Sequence, residues 1–191
     1  MIDNNFIQNT RDKLFAEYKQ VLNQGIISNV VVKVNGNVVS HLELRQLLQA
    51  ELNGVIEYNN SNLHLLDSKY FITDRQSASN LCSDFKNKEE QYIRNQNDCD
   101  KFALKSKTFW NMATQKQNLG GGIANGIVTF YWDTDKRGKF PKNGGHAVNY
   151  VPVFEGKNII HYIYEPQTGE FTLLRTYFNN FVNVRLGLIL L

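Results

Sequence analysis

Cysteine is scarce in this chain. Cys82 and Cys99 are the two present in 191 residues, too few for a disulfide framework. A single bridge between them is open to the sequence, and it would cost Cys99 its free sulfur. Charge of one sign is lacking too. Twenty-one basic residues stand against 18 acidic ones for a net charge of +3, and the lysines and arginines are scattered without a basic run. That spread excludes a nucleic-acid-binding tract. No apolar stretch reaches the roughly 20 residues that span a bilayer, and the closing Leu186-Gly187-Leu188-Ile189-Leu190-Leu191 reads as a buried strand. The opening Met1-Ile2-Asp3-Asn4-Asn5 has neither the basic nor the apolar region of a secretory leader. The expectation is a soluble cytoplasmic chain with no membrane and no nucleic-acid partner.

What is present suits a core of helices and strands. Hydrophobic residues make up 42% and aromatic residues 12%, enough for one sizeable core with or without a small appendage. Phe6, Leu14, Phe15, Tyr18, Val21 and Leu22 line one stripe of a helix over residues 5–24, with Gly25 as its stop. Val30–Val34 and Val38-Val39 flank Asn35-Gly36-Asn37, a hairpin signal. Ser40 and Glu43 read as the capping box of a second helix, buried through Leu44, Leu47, Leu48 and Leu52. A short strand near 63–66, a helix over 81–94 and a helix from residue 99 to the Gly120 break follow. Strands are then expected over 127–132, 147–154, 158–165, 171–174 and 182–190. Helices first and an antiparallel sheet after make an α+β arrangement. A boundary near residue 70 divides a 1–70 N-terminal accessory unit from a 71–191 core.

The chemistry concentrates on Asn97-Asp98-Cys99-Asp100-Lys101-Phe102-Ala103. Asp98 is an N-cap candidate, which puts Cys99 in the first turn. There the helix dipole favours a thiolate, and unpaired backbone N–H groups can hold an oxyanion. The competing reading is a cysteine that simply packs. A thiolate nucleophile needs a base, and the base an orienter. His146 is the best placed of the four histidines, since it follows Gly144-Gly145, which lets a backbone or substrate approach closely, and opens a strand. His41 and His64 read as solvated, and His161 shares a strand face with Glu165. A turn at Glu155-Gly156 sets Glu165 directly opposite His146. A turn two residues longer leaves Glu165 diagonal on the same face, with Gln167 opposite as reserve orienter. Asn149 faces away from His146 and reads as structural.

Cysteine at a helix start, then histidine, then an orienting polar residue on consecutive strands resembles the layout of papain-like and transglutaminase-like cysteine hydrolases. Asp98-Cys99-Asp100-Lys101-Phe102-Ala103, Gly145-His146-Ala147-Val148-Asn149 and Glu165-Pro166-Gln167-Thr168-Gly169 look most like the calcium-dependent protease domain of certain fungal agglutinins and related bacterial and phage proteins. The likeness covers roughly residues 75–191. It implies a papain-like fold in which the cysteine helix packs on an antiparallel sheet. It also implies Cys99 as nucleophile, His146 as base and then acid, and Glu165 as orienter. Such enzymes take an oxyanion donor from a glutamine upstream of the cysteine; Gln91 and Gln96 are nearby, neither at the usual spacing.

Asp98 and Asp100 are like charges beside a would-be thiolate, and a cation would relieve them. Asp98, Asp100, Asp133 and Asp135, with the amide oxygen of Gln167, are the hard oxygen donors calcium prefers. Asp133-Thr134-Asp135-Lys136-Arg137-Gly138 resembles the opening of a calcium loop, with Arg137 where a ligand would be expected. The bland reading is a capped helix and an acidic turn. The acyl-transfer chemistry requires no cofactor. The reading is a cysteine hydrolase, a peptidase on peptide or protein substrates. The alternatives are an inactive binding module and an acyltransferase with the same triad.

Overall fold

A computed structural model describes residues 38–92, 99–115 and 122–191. The expected helix over 5–24 and the first arm of the Asn-Gly hairpin lie outside these residues. Its second arm, β1 (Val38–Ser40), pairs antiparallel with β3 (Lys69–Phe71). Ser40 accepts a hydrogen bond from the Glu43 backbone N–H at 3.2 Å and starts α1 (His41–Leu52). Leu44, Leu48 and Leu52 recur at helical spacing and are fully buried.

The architecture is mixed α+β around one sheet. Its order is β10-β9-β8-β6-β12-β2, from Glu170–Leu173, Asn158–Glu165, Gly144–Glu155, Gly126–Trp132, Arg185–Leu190 and Leu63–His64. Neighbours are antiparallel except β2 beside β12. Where β6 ends opposite Tyr150, β4 (Thr73–Asp74) takes over the same edge of β8 in parallel. The runs of Val, Ile, Tyr and Phe in β6, β8 and β9 are buried almost throughout because helices cover both faces. On one face α2 (Arg75–Tyr92) and α3 (Cys99–Gln115) bring Leu81, Phe85, Phe109 and Trp110 against Val151, Val153, Tyr162 and Tyr164. On the other, α1 and the short α4 (Leu174–Phe178) pack on Phe130, Trp132, Val148 and Tyr150.

One expectation shifts. The helix read over 81–94 starts at Arg75, because Asp74 caps it: the Ser77 N–H donates to its Oδ1 at 2.8 Å. The stretch after β10, which the sequence reading does not assign, forms α4; its Leu174, Tyr177 and Phe178 are buried, as is Phe181 beyond it, and the four have the spacing of one helical face. Within residues 38–70, β2 is a strand of the main sheet and α1 shares its core with Phe130 and Trp132. Two short leucine-faced elements cannot bury themselves, so they complete the larger core.

Candidate active site

The site forms where the first turn of α3 meets the leading end of β8. Cys99 opens α3 and packs, half-buried, against Ala103, Leu104, Ile127 and Ala147. Asn149 fastens this helix to the sheet. Its buried Nδ2 donates to the Ala103 carbonyl at 2.9 Å, within reach of Asn125 Oδ1 and the Gly126 carbonyl. The side chain does so because it points to the opposite face from His146.

His146 is held from the other side. It lies opposite Phe130 on β6, against the edge of that ring and 5.0 Å from the Phe140 ring. The preceding glycines make room for neighbouring rings. A Cβ on Gly144 would fall 2.3 Å from Trp132 Cζ2, and one on Gly145 2.9 Å from Tyr131 Cδ1. Only glycine lets these two rings fold over the strand that delivers the imidazole.

The register between β8 and β9 is the longer of the two considered. Glu155 pairs with Asn158 around Gly156-Lys157, with Gly156 at φ +65°. Glu165 therefore lies diagonally from His146 on one face, and its Oε2 meets His146 Nε2. Gln167 is past the end of β9, and its role is carried by its backbone: the N–H returns to Glu165 Oε1 at 3.1 Å. The Gly169 N–H closes the same turn on the Glu165 carbonyl at 2.8 Å, with Gly169 at φ +81°.

Cys99 lies close enough to His146 to raise its pKa. Burial opposes charge on the imidazole, yet the bonds to Cys99 and Glu165 and the Glu165 charge outweigh it and raise the His146 pKa to about 9. An imidazolium is thus available at neutral pH. The structure brings Cys99, His146 and Glu165 together at one place.

One residue escaped sequence reading. Tyr177 of α4 is 1% exposed, and its hydroxyl donates to Glu165 Oε2 at 3.3 Å. Its place in an unassigned stretch hid it; the helical spacing of Leu174, Tyr177, Phe178 and Phe181 was the available signal.

The five candidate calcium ligands do not form a cage among the described residues. Asp98 lies outside them. Asp100 is exposed and accepts from the Cys99 thiol at 3.6 Å. Asp135 is buried and faces inward, its Oδ1 taking the Arg137 N–H and Nε at 3.0 and 3.2 Å and its Oδ2 the Lys139 and Phe140 N–H groups at 2.9 and 3.1 Å. Burial would raise its pKa, but these donors hold it below the usual carboxylate value. Asp133 is engaged by Asn183 at 2.7 Å and Arg185 at 3.2 Å. Arginine and backbone N–H groups already supply the positive charge that a cation would bring, so the loop's donor set does not fit calcium. No group of three or more His, Cys, Asp or Glu among the described residues could hold a metal ion.

This fold is similar to that of a fungal lectin. The solved structure of the PSL1a–E64 complex aligns with a TM-score of 0.53 at 17% identity, over 81% of this chain and 51% of that one. Polyporus squamosus lectin bound to a human-type influenza-binding epitope, Neu5Acα2-6Galβ1-4GlcNAc, aligns over 74% of this chain and 48% of that one, at 15% identity and a TM-score of 0.49. The chain thus spans about half the length of these lectin structures. No family model matches the chain, and no curated protein matches it. No helix among the described residues is long and apolar enough to cross a membrane.

Proposed function

We propose that this chain is a papain-like cysteine hydrolase that cleaves peptide or protein substrates through an acyl-enzyme on Cys99. The observation that carries the reading is the buried pairing of His146 Nε2 with Glu165 Oε2, with Cys99 close enough to His146 to raise its pKa.

In the proposed cycle, the His146 ring takes the Cys99 proton, and the thiolate adds to the substrate carbonyl carbon. Backbone N–H groups of the first turn of α3 hold the resulting oxyanion. The C–N bond then breaks as the imidazolium protonates the leaving amine, leaving a thioester. Water adds to that thioester while His146 accepts its proton, and C–S cleavage returns the thiolate and releases a carboxylic acid. Glu165, carried on the rigid β9 and fixed from both oxygens, keeps the ring in one tautomer. The first nucleophile and the acid and base of this sequence come from the chain itself, and water is the second nucleophile.

The test is thiol labelling. Iodoacetamide at neutral pH should alkylate Cys99 far faster than Cys82, which is buried with its pKa pushed well up by desolvation. E64, the compound in the similar lectin's complex, is a second probe, expected to block Cys99 and to be excluded by Cys99→Ala. Slow, equal labelling of both cysteines would make the chain a catalytically silent binding module.

A further inference from the structure

We infer that Tyr177 is a positioning residue of the triad, fixing the Glu165 carboxylate so that one oxygen faces His146. This rests on the cysteine-hydrolase reading above and deepens it.

Glu165 is 2% exposed, and a buried carboxylate needs its lone pairs filled. Oε1 takes the Gln167 N–H. Oε2 takes two donors, His146 Nε2 and the Tyr177 hydroxyl. A carboxylate held by a histidine alone can rotate about its last bond or accept that proton outright. The phenol restrains the first by anchoring Oε2 and weakens the second by drawing off part of the accepting strength of that oxygen.

The surroundings fix the phenol in turn. Tyr177 is wedged against the edges of Phe130 and Phe178 and against Phe181. The Arg137 guanidinium sits 5.6 Å above its ring. Arg137 is itself tied to Asp135. The short helix is clamped to α1 by Arg175, which meets Glu51 at 3.2 Å and the Ala50 carbonyl at 3.1 Å. Burial and the neighbouring Glu165 charge push the Tyr177 pKa up, so the phenol stays a donor throughout the working range.

The experiment reads the imidazolium directly. Iodoacetate carries a negative charge, so its reaction with Cys99 is favoured by a protonated His146 and falls as that ring deprotonates. In the wild type the fall is expected near pH 9. Removing the phenol leaves Glu165 a stronger acceptor for the ring, so Tyr177→Phe should move the fall upward by about half a unit or more. It should also slow peptide turnover through kcat with KM little changed. Phe178→Leu, the next residue of the same helix, should loosen packing and leave the fall where it was.

If Tyr177→Phe does not fold, 3-fluorotyrosine placed at 177 keeps the ring, donates more strongly and should shift the fall downward. An unmoved profile for the variant that folds, or an equal shift for Phe178→Leu, overturns the inference while the triad stands. A wild type whose Cys99 reacts no faster than Cys82 overturns the triad and this inference with it.

Discussion

Two buried histidines occupy neighbouring strands of one sheet and meet opposite fates. His146 on β8 faces a carboxylate and a thiol, and its pKa rises to about 9. His161 on β9 stacks on the Tyr150 ring, with its Nδ1 paired to the Tyr150 hydroxyl at 2.7 Å. Burial lowers its pKa to about 4, against the pull of the Glu51 charge. Both are nearly as inaccessible, at 7% and 6% exposure. Burial therefore does not decide the charge; the partner does. An anionic partner repays the cost of taking an imidazolium out of water, and a neutral phenol does not.

The sharpest way to break this contrast is to remove the ring that carries charge. His146→Ala should lower the iodoacetamide rate at Cys99 by about 10²–10⁴-fold, the range for a lost acid–base partner, whereas His161→Phe should leave that rate within about twofold. Equal losses would show that His146 only packs. Next comes its partner. Glu165→Gln should keep the fold while cutting turnover strongly and moving the alkaline fall of iodoacetate labelling to lower pH; gross loss of structure by circular dichroism would make Glu165 a structural residue instead.

A smaller effect is expected from crowding the strand that presents His146. Gly144→Ala sets a methyl against the Trp132 ring and should destabilise by about 1–3 kcal/mol in urea unfolding. Gly156→Ala, which has open space but φ +65°, should cost about 1 kcal/mol of backbone strain without touching the site.

The finest test is stability against pH. The folded pKa of His146 lies above the ordinary 6.5, so its contribution is full below about 6.5 and is lost as pH rises through about 9. That of His161 lies below 6.5, so its contribution is full above about 6.5 and is lost as pH falls towards about 4. For these two groups the urea midpoint should peak near pH 6.5. Glu165→Gln should flatten the alkaline side alone, and Tyr150→Phe should alter the acid side alone. One variant changing both sides would mean that the two histidines titrate as a coupled set.

Much of this was legible in the residues. Ser40 and the leucines of α1 give their helix away by cap and period, and the β6, β8 and β9 runs announce strands. His146 and Glu165 could be put in one neighbourhood because strand alternation preserves face in either hairpin register, and Cys99 joined them through the resemblance to cysteine hydrolases. Tyr177 could not be, since nothing in Thr176-Tyr177-Phe178 says which buried acid its hydroxyl will meet. The partners of Asp135 could not be read either, because acid spacing alone does not reveal whether the lone pairs point outward or are filled by Arg137 and backbone N–H groups.

The linear order of residues thus determined most of the elements, their buried faces and the candidate residues Cys99, His146 and Glu165, because periodicity and capping are local and act over a few residues. Only the tertiary structure decided the hairpin register, the filling of Asp135, the seat of Tyr177 and the opposite charges of the two histidines. Each of those depends on which polar atom lies within about 3 Å of another once water is gone, and that distance is set by packing between segments far apart in the chain.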